Sequence, residues 1–453
     1  MKIHLIAIGG AVMHNLAIAL LETGHQVTGS DDEVYNPSKD RLAAKGLLPQ
    51  KMGWFPKQIN QKLDLVILGK HARDDNPELL QAKKIGLKVL SFPEFIYEHS
   101  KDKTRVVVTG SHGKTSTTAM IMHVLKAAGL KFDYLVGSKL EGFDTMVGLS
   151  DAPIMVIEGD EYPASPIDLR PKMLFYKPNI AITTGIAWDH INVFPTFENY
   201  TLQFEKLLKV MAPKATWIWY QNDAVLRKLA INAPKNLHQI PYRGFKNVGD
   251  NGKTIIKNGH GKNVELAIFG QHNLENLKSA YYAIKALGVS DKVFFDCIGT
   301  FTGAAKRLQT LLESKTGTAF LDFAHAPSKA KATIKAVRSK YPNRKLIACL
   351  ELHTFSSLNK AFLPHYKGTM SPADYGFVFY SPHTLEMKKL PFFSEDEVKK
   401  AFGGQNVQVF TDAKALEKAL RKLKGKNNNL LWMSSGHFGG LNVEKVSKLI
   451  CCE

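Results

Sequence analysis

The sequence predicts an α/β protein of three domains, each built around a mainly parallel sheet. Short apolar runs of strand length alternate with segments of helical period along the chain, the pattern of βαβ units. Glycine turns carry a strand into a helix at Gly9-Gly10 and again between Gly110 and Gly113. The length of 453 residues leaves room for three domains, at roughly 150 residues each.

The elements follow in order. Residues 2–8 are an apolar strand, Gly9-Gly10 turns the chain, and 11–23 are helical up to Gly24. A second strand, 26–29, closes at Ser30-Asp31, and 63–68 and 88–91 are further strands. The polar, charged stretch 93–103 reads as a linker, which bounds a first domain at 1–103. Residues 105–109 are a strand running into a glycine loop that opens a helix over 117–128. Apolar strands at 154–157 and 180–183 and a helix over 273–287 complete a second domain, 104–302. A strand at 318–322, a helix at 328–340 and a strand at 345–350 begin the third, 303–453. The run Asn427-Asn428-Asn429 reads as a loop.

Composition excludes several classes. The four cysteines, Cys297, Cys349, Cys451 and Cys452, include no CxxC pair, so neither a disulfide framework nor a zinc knuckle is expected and a reducing compartment fits. The apolar start after Lys2 is interrupted by His4, Gly9, Gly10, His14 and Asn15, unlike a secretory leader. No run of 18 apolar residues exists, so no spanning helix is expected, and the expected location is cytoplasmic with no membrane partner. The net charge is +19, but the lysines are dispersed and no RRM, KH or zinc-finger pattern occurs; anionic substrates suit this balance better than nucleic acid.

The sharpest local signal is Thr109-Gly110-Ser111-His112-Gly113-Lys114-Thr115-Ser116, placed between a strand and a helix. Glycines let backbone N–H groups approach phosphate oxygens, and the helix N-terminus adds partial positive charge. Lys114 is suited to β- and γ-phosphates and the Thr115 hydroxyl to Mg²⁺. Two residues rather than four separate Gly110 from Gly113, a shortened phosphate loop.

That shortened loop resembles the Mur ligase and folylpolyglutamate synthase superfamily. The resemblance implies an N-terminal Rossmann-like domain, a central domain with a P-loop ATPase-like parallel sheet, and a C-terminal Rossmann-like domain. Glu158-Gly159-Asp160-Glu161-Tyr162 resembles the family's acidic motif and Trp188-Asp189-His190 its Asp-His motif; by that likeness Thr115, Glu158 and His190 hold Mg²⁺. Gly270-Gln271-His272-Asn273-Leu274-Glu275-Asn276 is similar to a nucleotide-lining segment and implies that Asn273 and Asn276 bind ATP. Arg307 and Asp322 match positions that contact ATP from the third domain, with Lys114, Glu158, His190 and Arg307 as the catalytic set. Where several members carry a carbamylated lysine, this chain has Phe204.

Within the family the N-terminal segment resembles members acting on UDP-N-acetylmuramate, with Gly9, Gly10, Ser30 and Asp31 at the nucleotide sugar. The glycine fingerprint is incomplete, because Ala7, Val12, His14 and Asn15 stand where small residues are expected. The stretch Asp32 to Pro37 and the 32-residue spacing from Glu158 to His190 are similar to the members that attach L-Ala-γ-D-Glu-meso-diaminopimelate in peptidoglycan recycling. The alternative acceptor is free L-alanine, as in biosynthesis. Residues 353–360 fit neither group closely; His325 and His353 are candidates at the acceptor.

Overall fold

The computed structural model describes every residue except Pro166, Asp189, His190, Asn192, Asn251, Cys452 and Glu453. The chain packs as two compact units, one of residues 1–186, 201–243 and 279–294, the other of 187–200, 244–278 and 295–453.

The first unit holds two larger sheets, besides the short antiparallel pair Pro163–Ser165 and Asp168–Pro171. The smaller orders Gln26–Ser30, Lys2–Ile6, Leu65–Leu68 and Val89–Ser91, all parallel. The larger has seven strands with Thr104–Thr109 at its centre, flanked by Ile180–Thr183 and Ile154–Glu158. Continuous apolar strands such as Val106-Val107-Val108 are what a sheet covered on both faces requires, and these residues are fully buried. One apolar cluster runs from Ile3, Leu5 and Leu16 of the small sheet's layer to Val107, Met155 and Ile157 of the large one.

Residues 93–103 are therefore no free linker. Phe92–Ser100 is a helix, started by a capping box in which Ser91 and Glu94 satisfy each other's backbone N–H groups. Phe92 and Ile96, one turn apart, join the shared core. Past the helix, the buried Arg105 guanidinium donates to the carbonyls of Ser100 (2.6 Å), Lys101 (2.7 Å), Tyr176 (2.8 Å) and Lys177 (3.1 Å).

A buried polar network ties the small sheet together. Glu78, fully buried, accepts from the Ser30 hydroxyl (2.6 Å) and the Phe55 N–H (2.7 Å) and lies 3.2 Å from His4 Nε2. Burial alone would raise its carboxyl pKa, but these hydrogen bonds outweigh it and hold the pKa below the ordinary value. A depressed pKa contributes stability that is present above the ordinary carboxylate range and lost as pH falls through the lowered pKa. Glu78→Ala should destabilise the unit by about 3 kcal/mol, since it strands the buried His4 and Ser30 and the Phe55 N–H, and Glu78→Gln should flatten the acid limb of stability against pH. Thermal unfolding between pH 3 and 7 checks both; unchanged midpoints would remove the network's role.

The second unit carries a six-stranded sheet ordered Gln309–Glu313, Gly317–Asp322, Asn428–Met433, Lys345–Glu351, Tyr375–Phe379 and Val407–Phe410, parallel except for its first strand. Of the asparagine run expected to be a loop, Asn427 lies in a turn with φ +61°, whereas Asn428 and Asn429 begin a central strand. Asn428 and Asn429 are buried; Asn428 donates to the Leu423 carbonyl (2.6 Å) and Asn429 accepts from the Thr318 N–H (3.2 Å). Helix Pro327–Lys340 buries Ala330, Ile334 and Val337 in this unit's core. Among the described residues no helix is long and apolar enough to cross a membrane.

Candidate active site

The phosphate loop emerges from the central strand of the seven-stranded sheet and enters helix Lys114–Ala127 directly. Gly110 has φ +116° and Gly113 φ +79°, which side-chain-bearing residues rarely adopt, and a Cβ on Gly110 would collide with the Thr184 hydroxyl. That hydroxyl lies within hydrogen-bond reach of the Thr109 and His112 carbonyls, while the Ser111 N–H donates to the Gly185 carbonyl (2.9 Å). The neighbouring strand end thus holds the loop's shape. Ser111, Thr115 and Ser116 are buried.

Lys114 Nζ donates to the Gly110 carbonyl and to Glu161 Oε2, each at 2.7 Å. Burial works against its charge, but Glu161, Asp160 and Glu158 more than offset that and raise its pKa above the ordinary lysine value. The Thr115 hydroxyl donates to Glu158 Oε1 (2.9 Å), and the Gly137 N–H donates to Glu158 Oε2 (2.8 Å). A Cβ on Gly137 would stand 3.0 Å from Glu158 Oε1, so the close approach favours glycine. Lys172 Nζ meets Asp160 Oδ2 at 3.0 Å, and Lys70 lies 4.4 Å from the centre of the Tyr162 ring.

Thr115 and Glu158 suit a hard cation. Oxygen ligands of octahedral Mg²⁺, at about 2.0–2.1 Å from the ion, lie about 2.9 Å apart on adjacent vertices. No group of three His, Cys, Asp or Glu side chains converges as a metal cage among the described residues, and a hydroxyl with one carboxylate suits a cation that keeps phosphate and water ligands. Asp189 and His190 lie outside the described residues.

At the other sheet of this unit, the Gly9 N–H donates to Asp31 Oδ2 (2.7 Å) beside Gly10. Burial, with Asp32 beside it, pushes the Asp31 carboxyl up to about 6. Ser30, just before it, is fully buried and its hydroxyl donates to Glu78, which braces the strand end.

In the second unit, Asp322 ends its strand and accepts from the N–H groups of Leu308 (2.7 Å) and Ala324 (2.6 Å). Burial raises its pKa, against the pull of Arg307, His272 and those two N–H groups. The Arg307 guanidinium stacks 4.8 Å from the centre of the Phe323 ring. Asn273 and Asn276 are buried near the start of helix Gln271–Ala286, and Asn273 donates back to the Phe269 carbonyl (2.9 Å). His325 is buried with Nδ1 2.9 Å from the Phe323 carbonyl. His353 stands 3.8 Å from the buried carboxylate of Glu351, which accepts from the Ser434 hydroxyl and the Phe438 N–H. Burial lowers the His353 pKa; Glu351 opposes this, while Lys388 and His437 add to it. Asp322, Ser434 and Glu351 stand at the C-terminal ends of three adjacent parallel strands, the edge where open α/β sheets bind ligands.

Gly137, Lys172 and Glu351 carry much of this geometry without a local signal of their own in the sequence, while Glu161 and His272 lie inside motifs already quoted. From those motifs only Glu158, Asn273 and Asn276 stood out.

A phosphate loop beside a paired hydroxyl and carboxylate, on a parallel sheet, defines an α/β enzyme that handles a nucleoside triphosphate. Residues 2–104 match the profile described as Mur ligase family, catalytic domain, and residues 108–284 match that of the Mur ligase middle domain. A UDP-N-acetylmuramate--L-alanine ligase of Lacticaseibacillus casei (strain BL23) is 31% identical, with 83% of each chain covered. The UDP-N-acetylmuramate--L-alanyl-gamma-D-glutamyl-meso-2,6-diaminoheptandioate ligase of Escherichia coli (strain K12) is 27% identical over 99% of this chain and 98% of its own. A murein peptide ligase structure from Psychrobacter arcticus 273-4 shares the fold, with a TM-score of 0.66, 21% identity and coverage of 99% and 98%. The chain belongs to the Mur ligase family and is an ATP-dependent, ADP-forming ligase.

Proposed function

We propose that this ligase joins the carboxylate of UDP-N-acetylmuramate to the amine of L-Ala-γ-D-Glu-meso-diaminopimelate through an acyl-phosphate. The observation that carries the chemistry is Lys114 at a helix N-terminus beside the Thr115–Glu158 pair. The acceptor rests on similarity along almost the whole chain to the Escherichia coli tripeptide ligase. Free L-alanine is the second reading, favoured by the more identical Lacticaseibacillus relative. In this reading residues 1–103 take the nucleotide sugar, 104–302 ATP and 303–453 the acceptor, in a cytoplasmic enzyme.

The muramate carboxylate attacks the γ-phosphorus and ADP leaves. The acceptor amine then attacks the acyl carbon, its nitrogen gives up a proton, and the tetrahedral intermediate expels phosphate. Lys114 stabilises the charge that develops on the transferring group, the main protein contribution to phosphoryl transfer. The loop 110–113 orients the phosphates through its N–H groups. Thr115 and Glu158, with His190 by family resemblance, would hold Mg²⁺, which neutralises phosphate charge when bound. Asn273, Asn276, Arg307 and Asp322 are assigned to the nucleotide, and Gly9, Gly10 and Asp31 to the nucleotide sugar. His325 and His353 are assigned to the acceptor.

Glu158→Gln should raise the Mg²⁺ concentration for half-maximal ADP release by about tenfold or more. An unchanged Mg²⁺ dependence would remove Glu158 from the metal.

A further inference from the structure

His14 and Asn15 stand where the glycine fingerprint would place small residues, and both are buried. Asn15 Oδ1 accepts from Arg41 Nη1 (2.8 Å) and from the Met146 N–H (3.0 Å), and its Nδ2 donates to the Ala11 carbonyl (2.8 Å). Arg41 Nη2 donates to the Asp144 carbonyl (2.8 Å). His14 packs under this clamp, with Nδ1 3.0 Å from both Ser38 Oγ and the Gly10 carbonyl. Two residues of the small sheet's layer therefore grip residues 144–146, a segment that leads into the strand Val147–Gly148 of the large sheet.

The gripped segment leads to the metal pair by a short chain of hydrogen bonds. The Met146 carbonyl accepts from the Val136 N–H (2.9 Å), which closes the base of the loop 136–146. The next residue, Gly137, donates to Glu158 Oε2 (2.8 Å), and Glu158 Oε1 accepts from Thr115 (2.9 Å). Inside the loop, Phe143 packs edge-on against Tyr134 with ring centres 5.0 Å apart, and the Tyr134 hydroxyl lies 3.2 Å from Thr145 Oγ1. These contacts stiffen the loop, so a displacement at Met146 is passed on to Gly137.

We propose that Asn15 and Arg41 are positioning residues for the ligase reaction: through residues 136–146 they set the orientation of the Glu158 carboxylate, and so couple the nucleotide-sugar layer to the cation site. The inference rests on the assignment of Glu158 to Mg²⁺. It follows the general behaviour of outer-shell hydrogen bonds, which fix how a ligating carboxylate is presented. Neither residue need touch the cation or the nucleotide.

The test is a titration of the full-length protein with Mn²⁺, following free Mn²⁺ by its EPR signal, in the presence of a β,γ-methylene analogue of ATP. Asn15→Ala and Arg41→Ala should each weaken Mn²⁺ binding by roughly tenfold, the low end for outer-shell partners. Asn15→Asp keeps the acceptor for Met146 and Arg41 and should bind within about twofold of the parent, whereas a packing role alone would spare all three variants. If Asn15→Ala does not fold, Arg41→Lys, which loses the two-pronged grip, should still weaken binding. Asn15→Ala should add nothing on a Glu158→Gln background, because the effect passes through that carboxylate. Folded alanine variants with unchanged Mn²⁺ affinity, or additive losses on that background, overturn the coupling. If Glu158→Gln itself leaves Mn²⁺ binding unchanged, it is the metal assignment that has failed.

Discussion

Lys114→Ala should lower ligation by at least about a hundredfold to a thousandfold, the range for removing one preorganised charge-stabilising donor. Its ammonium is held at the start of helix Lys114–Ala127 by the Gly110 carbonyl and Glu161, and three carboxylates keep it charged. Alanine keeps the helix, since it is the best helix former, and the loop's glycine conformations do not depend on the side chain. The variant's circular dichroism should match the parent's. The loss then belongs to the chemical step, read as ADP release with ATP, UDP-N-acetylmuramate and acceptor all present. Substantial remaining turnover in a folded variant would end the role assigned to Lys114.

The second large effect is in the acceptor. L-Ala-γ-D-Glu-meso-diaminopimelate should exceed free L-alanine in kcat/KM by about a hundredfold. Each charge-assisted hydrogen bond contributes on the order of 1.5–3 kcal/mol, and two such contacts to the tripeptide's additional carboxylates reach that ratio at about 1.4 kcal/mol per tenfold. The chain's +19 balance, with Lys388 and His437 close enough to His353 to influence its charge, suits anionic acceptors. The measurement is product mass and ADP release with each acceptor at matched concentration. Free L-alanine used as well as the tripeptide would make L-alanine the acceptor; failure with both would point to another amine.

The α/β architecture and the phosphate loop were legible in the sequence because their determinants are local. Period, glycine positions and the Lys-Thr pair all lie within a few residues of one another. The misread segments fail for identifiable reasons. Residues 93–103 look like a linker by polarity, although Ser91 and Glu94 form a capping box whose spacing is visible once sought. Asn428 and Asn429 look like a turn because their side chains find partners, Leu423 and Thr318, that no local pattern indicates. Glu78 reaches His4 across 74 residues and Glu161 reaches Lys114 across 47, so neither contact has a sequence signature.

Because Arg105 gathers carbonyls from both sides of residue 103, the first hundred residues are not a detachable cassette. A recombination crossover between Lys103 and Thr104 that brought in a C-terminal part lacking this arginine would leave the carbonyls of Ser100 and Lys101 without their donor, at about 1–3 kcal/mol for a buried one. The same cut divides apolar side chains that pack as one body, Ile3 and Leu16 on one side and Val107 and Ile157 on the other. Exchange of the small sheet between relatives therefore has to carry the facing surface of the larger sheet with it.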